Sequence, residues 1–140
     1  MTLRGAFDAD VLIYAGAQHP LGAPVTRLFE QAEGHGPVGL GSVLLLPEVL
    51  SKPMRDDPES HEAQSLRRLL SRLDLRPFDY PTARLALVLA AKYGLRAADA
   101  THLATAVAAG ANWFVTNNRK DFPQTITEID VVYPDQLPET

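Results

Sequence analysis

LRPFDYPTARLALVLAAKYGLRAADATHLATAVAAGANWFVT, residues 75–116, is the stretch that decides the fold. Leu75 to Phe78 is short and apolar enough for a strand. Pro81 then opens a helix that carries Leu85, Leu89 and Ala90 and stops at Gly94, with Pro at the first helical position and Gly just past the end. An alanine-rich helix over Ala97 to Ala109 follows and is ended by Gly110, and Trp113 to Thr116 reads as another strand. Strand, helices and strand in succession predict an α/β layer structure with a mostly parallel sheet.

The same alternation extends outward from this block. Toward the N-terminus, Leu3 to Phe7 is the first strand, running into Asp8-Ala9-Asp10 and an apolar helix start at Val11-Leu12-Ile13-Tyr14-Ala15. Gly16 to Pro24 is a loop, and a helix begins near Pro24 with Val25, Leu28, Phe29 and Ala32 at helical spacing and Gly34 closing it. Val38 and Leu40 mark a second strand, after which Ser42 is placed to cap a helix over Val43 to Leu50 that Pro47 should bend or split. Pro53 to Pro58 reads as a surface connection. Glu59 to Asp74, with Ala63, Leu66, Leu69, Leu70 and Leu73 on one face, is an amphipathic helix. Asp130 to Tyr133 supplies a last strand, for about five in all.

The chain has 140 residues, 46% of them apolar and 21% charged, which suits one domain over residues 1–140 with its own core. Cysteine is absent, so a metal would have to be held by oxygen ligands or by the four histidines. Oxygen ligands suit magnesium or manganese. Met1 to Phe7 is too short and polar for a secretory signal, and no apolar run approaches the roughly 20 residues of a membrane span, so the expectation is a cytoplasmic protein with no membrane partner. A net charge of −4 argues against bulk coating of duplex DNA. It does not argue against a nuclease, because a site that gathers carboxylates for divalent cations makes a protein acidic.

In parallel sheets the functional crevice lies beyond the carboxyl ends of the strands. Asp8 and Asp10 follow the first strand there, and Asn117, Asn118 and Asp121 follow the strand at Trp113 to Thr116. Glu48 stands among Leu44, Leu45, Leu46, Val49 and Leu50, an apolar surrounding in which an acid needs a cation. Asp99 sits in a helix of small residues. Several acids converging without lysines repel one another unless divalent metal neutralises them.

Each residue also has an ordinary reading. Asp8 and Asp10 can cap the helix they precede. Glu48 can pair with Lys52 one turn on, and Asp99 with Arg96. Asp121 can cap a short turn before Pro123, and His102 is more often packed or hydrogen-bonded than a ligand. Arg67, Arg68, Arg72 and Arg76 complement a helix dipole better than they suggest an RNA surface.

Four segments, in order, resemble the PIN-domain family, in particular the toxin ribonucleases of bacterial VapBC toxin-antitoxin pairs. They are Phe7-Asp8-Ala9-Asp10-Val11-Leu12-Ile13-Tyr14, Pro47-Glu48-Val49-Leu50, Ala98-Asp99-Ala100-Thr101-His102-Leu103-Ala104-Thr105-Ala106, and Val115-Thr116-Asn117-Asn118-Arg119-Lys120-Asp121-Phe122. The resemblance spans nearly the whole chain. It implies a three-layer α/β/α fold, magnesium or manganese bound by Asp8, Glu48, Asp99 and Asp121, and hydrolysis of RNA phosphodiester bonds. It also implies a homodimer and an inhibitory antitoxin. Asp10 stands where the family commonly has Asn. Asn118 stands where many members have an acid, which passes the fourth acidic role to Asp121. Thr116, Asn118 and Asp10 are then candidates for the layer around the ligands, with Thr116 and Asn118 able to hold water or phosphate.

Other readings differ in kind. Asp8-Ala9-Asp10 also resembles the nucleophile motif of haloacid-dehalogenase-type phosphatases, but Val11 and Leu12 replace the Thr or Ser that motif needs. A receiver domain would need a phospho-accepting acid after the third strand, for which Asp79 serves only loosely. The alternative from a different class is a non-catalytic PIN fold that binds RNA or protein.

Overall fold

The computed structural model describes residues 4–32, 34 and 36–137. The chain runs β1 (Gly5–Phe7), α1 (Ala9–Gly16), a 3-10 turn (Pro20–Gly22), α2 (Ala23–Gln31), β2 (Gly39–Ser42), α3 (Leu45–Asp56) and α4 (His61–Ser71). It continues with β3 (Leu73–Arg76), α5 (Tyr80–Tyr93), α6 (Ala97–Ala108), β4 (Trp113–Val115), β5 (Asp130–Val132) and a second 3-10 turn at Pro134–Gln136.

The five strands form one sheet in the order β3-β2-β1-β4-β5, and every neighbouring pair is parallel. Side chains alternate across a strand, so each strand feeds two cores. Ala6, Leu40, Phe114 and Val131 face α5 and α6, while Phe7, Val115 and Leu73 face α1, α2, α3 and α4. The result is the three-layer α/β/α arrangement. The chain builds outward from β1 through β2 to β3, then returns to lay β4 against the other side of β1. This reversal makes the line between β1 and β4 the switch point of the sheet, where ligand crevices open.

Local chemistry accounts for the best-defined helices. Ser60 caps α4 by accepting from the Ala63 N–H at 3.1 Å. Asp79 caps α5 through Thr82, Pro81 sits in its first turn, and Gly94 closes it at φ 68°, a left-handed conformation that costs glycine little.

Several expectations need correction. Ser42 belongs to β2; its hydroxyl accepts from the Leu44 N–H at 3.1 Å, and α3 starts at Leu45. Pro47 lies in the first turn of α3, where an absent N–H breaks no helical bond, so it does not split the helix. Residues 53–56 are the last turn of α3, with Pro53 buried inside it, and the surface connection begins only after Asp56. β3 starts two residues earlier than its sequence suggests, and β4 and β5 stop one residue earlier. Leu3 lies outside the described residues. No described helix is long and apolar enough to cross a membrane.

Candidate active site

Asp8 follows β1 directly and is 4% exposed. One carboxylate oxygen accepts from the Ala9 N–H at 2.9 Å and the other from the Thr116 hydroxyl, just past β4, at 2.8 Å. It does cap α1, and the same carboxylate spans the switch point. Thr116 is fully buried, and its hydroxyl oxygen also accepts from the Asn118 N–H at 3.0 Å. Burial first, then the charge of Asp10, raises the Asp8 carboxyl to about 7, against the lowering influence of His102, Thr116 and the Ala9 amide.

Asp10, in the first turn of α1, accepts from the Asn117 N–H at 3.2 and 3.3 Å. Burial raises its pKa, the two backbone N–H groups of Asn117 and Val11 lower it, and the charges of Asp99 and Glu48 raise it further. Asp99, in the first turn of α6, is raised by burial, then by the charges of Asp121 and Glu48, with His102 and Arg96 pulling the other way. Asp121 is held by Asn118, whose amide donates to its carboxylate at 2.9 Å and whose side-chain oxygen accepts from its N–H at 3.2 Å. Asn118 does the capping in this turn. Phe122, fully buried edge-on to Phe114 with ring centroids 5.0 Å apart, anchors the segment to the core.

Glu48 departs most from expectation. Its side chain is 34% exposed, and its partner is His102, whose Nε2 lies 2.8 Å from a carboxylate oxygen. Leu45 and Val49 take the buried face of α3 and leave Glu48 facing outward. Among the described residues, neither Lys52 with Glu48 nor Arg96 with Asp99 forms a salt bridge, and Asp8, Asp10, Asp99 and Asp121 have none at all. The structure therefore brings Asp8, Asp10, Glu48, Asp99 and Asp121 into one field of mutual repulsion. The pairing of Glu48 with His102 was not foreseen. Its signal was the three-residue spacing of Asp99 and His102, which puts both on one face of a helix.

The sequence matches the PIN domain family over residues 6–126. The chain belongs to that family. The PIN fold here is similar to a chain of a toxin-antitoxin complex from Klebsiella pneumoniae, with 25% identity, a TM-score of 0.73, and 96% of this chain and 99% of that one covered. It is also similar to a chain of VapBC2 from Rickettsia felis bound to a DNA fragment of its promoter, at 20% identity and a TM-score of 0.72 over 94% of this chain and 98% of that one. A third likeness is to a chain of DNA-bound VapBC from Salmonella typhimurium, at 18% identity and a TM-score of 0.68 over 95% and 99% of the two chains. No curated protein matches.

Among the described residues no three His, Asp or Glu side chains of this PIN domain stand close enough to close on one metal ion. Their hydrogen bonds give the reason: the acids repel one another, and Asp8, Asp10, Asp121 and Glu48 are each drawn to a separate protein donor. The donor set nevertheless suits a hard divalent cation, being carboxylate oxygens with no lysine or arginine salt bridge at the aspartates and with burial and like charge raising three of them.

Proposed function

We propose that this PIN domain is a magnesium- or manganese-dependent endoribonuclease, the toxin of a toxin-antitoxin pair acting in the cytoplasm. The observation that carries this reading is the mutual repulsion of Asp8, Asp10, Glu48, Asp99 and Asp121 at the switch point, a charge arrangement that calls for a divalent cation. Asp8, Asp99 and Asp121 would hold the ion, with Glu48 directly or through water. When bound, the ion supplies charge stabilisation at the scissile phosphate and activation of water. The chain's own groups do the orienting. Thr116 fixes one oxygen of Asp8, Asn118 fixes one of Asp121, and Asp10 ties the turn after β4 to α1.

A protein antitoxin as partner is supported by the toxin-antitoxin complex from Klebsiella pneumoniae, to which the fold is similar. A homodimer belongs to the same reading, and the exposed apolar residues Tyr80, Leu87 and Val88 on α5 are available to such a contact. The carboxylates' present separation favours the second reading, a PIN fold that binds RNA or protein without cutting. Purified protein incubated with a mixed RNA pool, with magnesium, with manganese and with EDTA, separates the two. Cleavage that requires metal and drops at least about 100-fold in folded Asp8→Ala and Asp99→Ala is the expected result. A wild type that neither cuts RNA nor binds divalent metal leaves the binding module as the better account.

A further inference from the structure

The cluster holds one buried base that the proposed chemistry has not used. His102 has a side chain 1% exposed, while the glutamate it meets is 34% exposed, so the ring is the fixed partner and the carboxylate the movable one. Asp99 and His102 project from one face of α6, three residues apart. The ring also acts electrostatically on Asp8 and Asp99, which places it among the acids of both switch-point elements. Its Nδ1 is buried without a hydrogen-bond partner. A carboxylate can only accept, so the 2.8 Å contact is an Nε2–H donated to Glu48.

We propose that His102 is a positioning residue, which through its Nε2–H holds the Glu48 carboxylate at the mouth of the acid cluster in a register set by Asp99. An exposed glutamate in the first turn of a helix otherwise samples several rotamers, and a rigid donor removes that freedom before any ligand arrives. The bond links α3 to α6, so the spacing of Glu48 and Asp99 is fixed by the ring between them. The inference rests on the metal-site reading above.

The test is a manganese titration of the full chain, comparing wild type, His102→Leu, His102→Gln, Glu48→Ala and the double variant His102→Leu/Glu48→Ala, with thermal melts to verify folding. Gln can present an N–H near the position of Nε2 and Leu cannot. His102→Leu is expected to weaken manganese binding roughly 10-fold or more, in the range seen when outer-layer partners of metal ligands are removed. His102→Gln is expected to recover most of that loss, and in the Glu48→Ala background His102→Leu is expected to add nothing. If His102→Leu does not fold, His102→Asn, whose amide stops one bond short, takes its place with the same outcomes.

Unchanged affinity in the Leu or Asn variant, or a full loss that persists without Glu48, overturns the proposal, as does a ring that carries no proton on Nε2 by nitrogen NMR. RNA cleavage is scored separately. Intact coupling between positions 48 and 102 in a protein that cuts no RNA removes the ribonuclease reading and leaves this one. Cleavage without coupling does the reverse, and a wild type that binds no manganese removes both.

Discussion

Asp8 combines burial, a capping bond to Ala9 and a bond to Thr116 in one carboxylate, and each acts on its proton differently. Burial and Asp10 prevail, holding the group at about 7 instead of 3.8. Between those values the folded protein binds more protons than the unfolded chain, so stability falls as pH rises through that window and levels off above it. Asp10 and Asp99 shift in the same direction. The metal-free protein should therefore melt several degrees lower at about pH 8 than at about pH 5, and Asp8→Asn should flatten most of that slope. Scanning calorimetry over this range checks it, and a melting temperature that climbs with pH would sink the claim.

At this scale the sequence was legible for identity and poor for direction. The acids could be named because they sit after strands or in first helical turns. The exposure of Glu48 could not, since apolar neighbours say how greasy a segment is and not which way one member points. The 3.6-residue period puts Leu45 and Val49 inward and leaves Leu46 43% exposed beside Glu48.

Helices were read well where both ends are punctuated, as in α5, and poorly where a proline misleads or where a strand follows at once: the reading of α4 ran to Asp74, but the helix ends at Ser71 and Leu73 and Asp74 belong to β3. Pro53 lacks the N–H that would continue the helical ladder, yet α3 runs on to Asp56 because the ring is buried against its surroundings. Strands of three or four residues are too short to show a period of two, which is why β3 was misplaced along the chain while its existence was not missed.

Close packing between elements gives a sharper expectation. A Cβ on Gly22 would meet the Ala15 backbone nitrogen at 2.3 Å and the Tyr14 carbonyl carbon at 2.4 Å, so the turn before α2 touches α1 backbone to backbone. Neither side can rotate away. Gly22→Ala should destabilise the protein by about 1–3 kcal/mol, the usual cost of overpacking, read as a lower denaturant midpoint with an unchanged slope. A midpoint equal to wild type would show that α2 can slide, against this account.

For the whole molecule, layer type and a mostly parallel sheet could be read from the alternation of elements, but the strand order could not. Nothing local in a sequence says that β4 returns to the free side of β1, because that pairing joins residues more than a hundred positions apart. The acid cluster shares part of that difficulty: the strand-end rule brings Asp8, Asp10 and Asp121 to one edge of the sheet, while Asp121 owes its role among the ligands to the family resemblance.

Gathering like charges at one end of the sheet also makes stability depend on the ion proposed to relieve them. Manganese at about 100 times its dissociation constant should stabilise the fold by about 2.7 kcal/mol, raising the melting temperature by several degrees. Asp99→Asn should blunt that rise while leaving the metal-free protein at least as stable as wild type. Differential scanning calorimetry with and without the ion decides it, and a wild type indifferent to manganese contradicts it.

The bond between the Thr116 hydroxyl and Asp8 joins residues 108 positions apart. During synthesis Asp8 leaves the ribosome before Thr116, Asn118 and Asp121. A growing chain thus carries an incomplete set of acids until Asp121 has emerged. A fragment from a stalled or nicked message has no β4 to set beside β1. The order of the strands therefore delays completion of the acid cluster until β4 has been made and laid against β1.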